Sequence, residues 1–135
     1  MFLACFIFST NDEILLSSQG DNIWELPGGT VENDENAIET LVREVYEETA
    51  IKICKNSVRP FSCTNVFKNK SKVPYKREFA YLARVCDTDD FINDPGGEHK
   101  YRRFVSMDEF PEVFHWGDSI LPIISRLKKE LKLLN

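Results

Sequence analysis

Between Asp34 and Thr49 two stripes run along one helix-length segment. Ile38, Leu41, Val42 and Val45 recur at spacings of three and four, the period that gathers apolar side chains on one face of an α-helix. Glu44, Glu47 and Glu48 recur in the same way. At ~100° per residue they share an edge roughly a third of a turn from the apolar stripe. A helix built like this has to lay its stripe on a core. Its acids then fall on the shoulder of the packed face, where a cleft wall would carry them. Asn33 or Asp34 is the expected N-cap, with acids in the first turn, and the spacing predicts a helix over about Asp34–Thr49.

Three carboxylates at i, i+3 and i+4 repel one another. A positive charge between them would relieve that, and a hard divalent cation, which takes oxygen ligands, suits the donor set. The plainer alternative is a solvated helix surface on which Arg43 bridges Glu39 and Glu47 at i, i±4.

Upstream residues weigh on that choice. Pro27-Gly28-Gly29 leads into the segment, and Gly29, Glu35, Arg43, Glu44, Val45, Glu47, Glu48 and Ile51 each fall on a defined position of the Nudix hydrolase signature, G-x5-E-x7-R-E-U-x-E-E-x-G-U (U, bulky aliphatic). The chain therefore resembles the Nudix family, and within it the MutT-like nucleoside triphosphate pyrophosphohydrolases. One position departs. Ala50 stands where the signature has glycine, a site often left-handed, where alanine costs roughly 1 kcal/mol. The departure removes no ligand.

The resemblance implies an α/β fold, an α/β/α sandwich with a mixed central sheet and a catalytic helix after a glycine-rich loop. It implies Glu44, Glu47 and Glu48 as ligands of Mg²⁺, with Mn²⁺ as a substitute. Arg43 orients the carboxylates, Glu35 braces that arrangement, and Glu44, Glu47 and Arg43 take part in catalysis. The implied reaction is hydrolysis of a nucleoside diphosphate-linked compound, foremost a (d)NTP to its monophosphate and pyrophosphate, with removal of oxidised nucleotides as one setting. A dinucleoside polyphosphate or an RNA 5′ end is the alternative substrate, and a non-catalytic nucleotide-binding module the alternative role. Gly28 and Gly29 would let the backbone approach the helix and the phosphates, although an ordinary turn explains a glycine pair as well. Glu98, in a glycine-flanked acidic loop, is a candidate further ligand and catalytic acid, with Asp89, Asp90 and Asp94 as neighbours that could serve instead. Trp116 and Asp118 lie in a W-x-D-S-x-x-P arrangement similar to a base-reading turn, but a core aromatic and a helix N-cap explain them too.

At 135 residues there is room for a single domain, 1–135, with one adequate core. A net charge of −5 argues against an extended nucleic-acid or anionic-membrane surface, while a small polyanionic nucleotide stays admissible because a bound cation reverses the local sign. A monomer or homodimer is expected. The opening MFLACFIF has no basic flank and is too short to span a bilayer; it reads as a buried first strand. Cys5, Cys54, Cys63 and Cys86 show no C-x-x-C pair and read as reduced core thiols in a cytoplasmic protein. His99 and His115 have no partner at metal-ligand spacing. Lys68, Lys70, Lys72, Lys76 and Arg77 form a basic stretch, a solvated loop or a phosphate-steering one.

Further strands are expected at Phe2–Phe8 and Glu13–Ser17 around an Asn11-Asp12 turn, at Ile23–Leu26, at Val58–Phe67 and Lys76–Val85, and at Tyr101–Val105. A last helix, capped by Asp118, would present Ile120, Ile123, Ile124, Leu127, Leu131 and Leu134 on one face, with Pro122 tolerated in its first turn.

Overall fold

Every residue from Leu3 to Phe8 other than Ala4 is buried, so the first strand is covered on both faces. In a strand successive side chains point to opposite sides. Phe6 and Phe8 enter one apolar cluster, and Leu3, Cys5 and Ile7 enter another. The computed structural model describes residues 1–67, 74–86, 102–114 and 120–134. Within them the chain runs β1 (Phe2–Phe8), β2 (Ile14–Ser17), β3 (Gly28–Thr30), α1 (Ala37–Thr49), β4 (Arg59–Phe67), β5 (Pro74–Arg84), β6 (Arg102–Val105), α2 (Phe110–Val113) and α3 (Leu121–Leu134).

The sheet among the described residues has the order β4-β5-β1-β2-β6. It is mixed. β1 lies parallel to β5 over Phe2–Phe8, whereas its other edge is shared between two antiparallel partners. β3 takes the start of that edge (Phe2 with Thr30 to Ala4 with Gly28), and β2 meets it at Phe8 with Ile14. Leu41 and Val45 of α1 are fully buried in the cluster that holds Leu3, Cys5 and Ile7. Ile120, Ile124, Leu127 and Leu131 at α3 pack with Phe6, Phe8 and Phe110 on the opposite face. Burying a side chain of this size is worth about 1.5–3 kcal/mol, so both helices are held mainly by these stripes. The result is the expected α/β/α sandwich.

Several expectations need correction. α1 starts at Ala37, three residues later than expected, and its N-cap is Asn36 rather than Asn33 or Asp34. The reason is Glu39. The Asn36 Oδ1 accepts from the Glu39 N–H at 2.8 Å, and Glu39 Oε1 accepts from the Asn36 N–H at 3.1 Å, a reciprocal capping box that neither earlier residue could form. Asp34 instead sits at φ 70° in the preceding turn. Ile38 is 36% exposed and only marks the rim of the stripe. At Ile23–Leu26 there is no continuous strand: Trp24 and Glu25 make isolated bridges to Phe114 and Ser17. Pro27-Gly28-Gly29 is not a turn, because its two glycines open β3. None of the four cysteines is in a disulfide, as expected, but Cys63 and Cys86 are exposed rather than core residues. The short helix α2 had no expectation behind it. Glu98, Asp89, Asp90, Asp94, His99, His115, Trp116, Asp118 and Lys68, Lys70 and Lys72 lie outside the described residues, as do the side chains of Lys76, Arg77 and Leu134. No helix among the described residues is long and apolar enough to cross a membrane.

Candidate active site

The guanidinium of Arg43 organises the acidic edge of α1. Its Nε and Nη2 donate to the two oxygens of Glu35 at 2.7 and 2.9 Å, a two-pronged pairing that fixes the plane of both groups. Its Nη1 donates to Glu44 Oε1 at 2.9 Å and, more weakly, to Glu47 Oε2 at 3.4 Å. Nη2 also reaches the Thr30 carbonyl at 3.4 Å, tying the helix to β3. Glu35 is held in turn by the Thr40 hydroxyl and the Glu32 N–H, each at 3.1 Å. Hydrogen bonding to Arg43 pulls the Glu35 carboxyl down to about 2, and the same contact holds Arg43 protonated more firmly than an ordinary guanidinium. Bridging of Arg43 to Glu39 does not occur, since Glu39 is occupied at the helix cap.

The glycines of β3 are required by space rather than by backbone conformation. A Cβ on Gly29 would overlap the carboxyl end of Glu44, and one on Gly28 would overlap the backbone of Leu3 and Ala4 in β1. Gly29 is thus the cradle in which the Glu44 carboxylate lies. Glu48, one turn on, faces the other way. Its Oε2 accepts from Ser17 Oγ at 3.4 Å, and its carboxyl is pushed up to about 7, chiefly by desolvation and further by the charges of Glu44 and Glu25, against the lowering effect of the Gly28 N–H and Ser17. The residue as a whole counts as exposed; the carboxyl end is what the cleft shields. Glu47 projects furthest, with 58% of its side chain exposed.

The edge thus carries three glutamates with different attachments: Glu44 to Arg43, Glu48 to Ser17, Glu47 mostly to water. Among the described residues no three acidic, thiol or imidazole groups are gathered closely enough to hold an ion as they stand. The chemistry of the donor set nevertheless fits a hard cation. It is all carboxylate, Gly29 leaves the room that Glu44 occupies, and the ionised form of Glu48 is the one its surroundings disfavour, which a nearby cation would reverse. Beside Glu48 and Gly28 a cleft of roughly 360 Å³ opens between the start of β1 and the end of β2.

The C-terminal end of α1 is closed by its own cap and by a cation. Ala50 takes φ 60°, ψ 19° and its N–H returns to Tyr46 O at 2.8 Å, so the left-handed site expected to need glycine is kept by alanine. Arg102 of β6 donates to the Thr49 carbonyl, placing a cation where the helix dipole favours one. Ser17, Glu25 and Arg102 were not singled out from the sequence. Pairing Ile14–Ser17 with Ile23–Leu26 as a hairpin would have brought Ser17 against Glu25; nothing local pointed to Arg102.

The NUDIX domain family matches residues 2–123, and the chain belongs to the Nudix family. That family generally uses divalent metal ions. A dihydroneopterin triphosphate diphosphatase of Haemophilus influenzae is 38% identical over 84 residues, covering 62% of this chain and 53% of that protein. An 8-oxo-dGTP diphosphatase of Buchnera aphidicola is 40% identical over 71 residues, 53% of each chain. An RNA pyrophosphohydrolase of Brucella anthropi is 26% identical over 87 residues, 57% of this chain and 50% of that protein. The matched segment spans about half the length of these curated relatives. Among solved structures, a MutT of Aliivibrio salmonicida or Vibrio cholerae superposes with a TM-score of 0.63 at 20% identity, covering 93% and 92% of the two chains. A C. elegans Ap4A hydrolase complex gives 0.65 at 18% identity, covering 98% of each. At such identity these two speak for the fold alone.

Proposed function

We propose that this chain is a pyrophosphohydrolase that cuts a nucleoside triphosphate to the monophosphate and pyrophosphate, using Mg²⁺ or, in its place, Mn²⁺. The observation that carries the reading is the Arg43 clamp, which holds Glu35, Glu44 and Glu47 on one edge beside Gly29 while Glu48 turns toward the cleft. Two relatives point the same way, since their names state that they act on triphosphates.

Glu44, Glu47 and Glu48 would hold the ion. When bound it would offset the charge of the phosphates and acidify water for in-line attack on phosphorus. Water adds to one phosphorus, the bridging P–O bond breaks, and the proton of that water passes to a carboxylate. Glu47 is the least committed of the edge and suits that role. Arg43 keeps Glu44 in place, Glu35 keeps Arg43 in place, and Gly28 and Gly29 let the backbone approach the substrate. Glu98 would serve as a further acid, and Trp116 with Asp118 would contact the base. The cysteines outside any disulfide suit a cytoplasmic setting, and a monomer or homodimer would carry a complete site.

The RNA pyrophosphohydrolase relative favours a second reading, hydrolysis at an RNA 5′ end, which presents the same anhydride. The net charge of −5 works against long RNA. A Mg²⁺-supplemented assay of triphosphates, dinucleoside polyphosphates and 5′-triphosphate RNA, scored for pyrophosphate against orthophosphate release, tests both. Pyrophosphate from mononucleotides supports the first reading and activity on RNA alone the second. Saturable nucleotide binding without turnover would reject hydrolysis in favour of a binding module.

A further inference from the structure

Beyond Arg43 and Glu47, α1 turns a second face outward. Val42 and Tyr46 are neighbours on it at i and i+4, and Tyr46 is 50% exposed. The chain then reverses through the left-handed Ala50 and runs beside the end of β5. There the Cys54 N–H donates to the Arg84 carbonyl at 2.7 Å, and the Cys86 N–H to the Lys52 carbonyl at 2.8 Å. Ser57 adds a third tie, its Oγ accepting from the Arg84 N–H at 2.8 Å. Between the helix and this pinned segment lies a hollow of roughly 690 Å³, within the usual size of small-molecule sites. Backbone bonds set its shape, so it needs no ligand to form it.

Its walls are apolar and its free charge is positive. Val42 and Ile53, which pack into the cluster beneath α1, line it together with Tyr46 and Cys54. Lys52 and Lys55 line it too, and both are exposed. Among the described residues neither ammonium has an ion pair or a hydrogen bond. Arg43 and Glu47 also border the hollow and offset each other. Two uncompensated cations thus flank an apolar space in a chain whose net charge is −5. Other cavities differ. The cleft beside Glu48 is lined by two carboxylates and no base, and the one at Asp12 and Asp108 sets Lys128 and Lys132 against them.

We infer that this hollow is a second ligand site, separate from the acid edge, and that it takes a small amphipathic anion. The ligand class is a flat apolar body bearing one carboxylate, sulfonate or phosphate group. The body would rest on Val42, Ile53 and the Tyr46 ring, where an aromatic partner gains from offset stacking. The head would draw charge-assisted hydrogen bonds from Lys52 and Lys55, whose apolar stems can lie along the wall while the ammonium groups stay in water. A molecule held there would touch α1 and the pinned segment at once, bracing the end of the helix that carries the acid edge. The inference does not depend on what that edge does.

The test uses anilinonaphthalene sulfonate, a fluorescent aromatic anion, against uncharged anilinonaphthalene, which has the same body and no head group. Titration of the intact chain should give saturable binding of the sulfonate at a single site, with the uncharged probe at least ~10-fold weaker. Lys52→Gln combined with Lys55→Gln, at exposed residues, should weaken the sulfonate at least ~10-fold and leave the uncharged probe unchanged. Tyr46→Ala should weaken both probes by roughly threefold to tenfold. The sulfonate should also raise the Tm of the wild type, as a ligand of the native state does and a ligand of the unfolded chain does not. Equal affinity for the two probes, binding indifferent to the lysines, a fall in Tm, or no saturable binding would each overturn the inference. Competitive displacement of the sulfonate by a nucleotide with Mg²⁺ would put the probe on the acid edge; that would reject a separate site and leave the hydrolase reading standing.

Discussion

Gly29 and Glu44 share one volume: the carboxyl end of the glutamate fills the space that a β-carbon on the glycine would need. Gly28, the neighbouring residue, meets backbone instead, the Leu3 carbonyl and Ala4 Cα of β1. The two glycines should therefore answer substitution differently. Gly29→Ala displaces a flexible side chain, so we expect under ~1 kcal/mol of destabilisation. Activity should fall at least ~10-fold, because Glu44 leaves its place on Arg43. Gly28→Ala pushes two strands apart, an overpacking cost of about 2–3 kcal/mol, or roughly 10 °C in Tm for a domain of this size. Thermal melts paired with kcat measurements on both variants check this; equal effects on stability would show that the close approach does not have this origin.

The Arg43–Glu35 pairing makes a distinct claim about acid stability. The Glu35 carboxyl is drawn down to about 2 from an ordinary 4.5, first by its hydrogen bond to Arg43. A carboxyl depressed in the folded state stabilises above its unfolded value and loses that contribution as pH falls toward the folded one. The stabilisation should thus be complete above about pH 4.5 and fade toward pH 2. Glu35→Gln should melt lower than wild type at pH 7, with the gap closing by pH 2–3. Arg43→Lys keeps the charge and loses the fork, so we expect a drop in kcat of at least ~10-fold while most of the fold stability is retained. Melting curves across pH 2–7 and kinetics of the lysine variant decide both points.

How much of this was visible in the chain depends on whether a feature is local. The stripe that buries Leu41 and Val45 follows from spacing on one helix, and the structure keeps it; the same spacing sets Glu44, Glu47 and Glu48 near one another, but Arg43 takes the first two while Glu48 turns to Ser17. The helix start was misplaced because Asn33, Asp34 and Asn36 are all good caps, and only the return contact from Glu39 separates them. Close approach and an ordinary turn both stay open for the glycine pair in the sequence, because what it avoids, Glu44 and the backbone of β1, comes from elsewhere in the chain. Ser17, Glu25 and Glu48 meet through strand pairing and helix docking across 31 residues. No motif in one segment records that.

Ala50 offers a stability test separate from chemistry. It holds φ 60°, a left-handed conformation that crowds a β-carbon and costs roughly 1–2 kcal/mol for non-glycine residues. Glycine has no such cost but loses more backbone freedom on folding. The balance favours Ala50→Gly by about 0.5–1 kcal/mol, a rise of a few degrees in Tm. Because the Tyr46 carbonyl is already capped by the Ala50 N–H at 2.8 Å, the helix end should not move, and kcat should stay within about twofold. A lower Tm would mean that the neighbouring packing, with Ile51 buried beside it, depends on the alanine methyl.

Glu48 is where stability and function should part. Its carboxyl is pushed up to about 7 from 4.5, chiefly by desolvation, so the folded protein holds that proton more tightly than the unfolded chain does. Linkage then makes the metal-free protein most stable, in this respect, below pH 4.5 and progressively less so as pH rises to 7. Glu48→Gln removes the group that must ionise. After allowance for solvent screening at a partly exposed side chain, the gain is about 1 kcal/mol, or roughly 3–5 °C in Tm, at pH 8 and close to nothing at pH 4. Mg²⁺ should reverse the order at pH 8, because it stabilises whichever form binds it by mass action, and the glutamine variant has lost a ligand. Under saturating Mg²⁺ and substrate, turnover of Glu48→Gln should be at least ~10²-fold below wild type. Melting curves with Mg²⁺ or EDTA at the two pH values, set beside kcat, separate the cases. A variant that is stabilised without metal, unresponsive to Mg²⁺ and slow would fit a carboxylate destabilised in the empty fold because it is placed to meet a cation. A variant with near-wild-type turnover would remove Glu48 from the metal-binding edge and leave its desolvation a matter of packing alone.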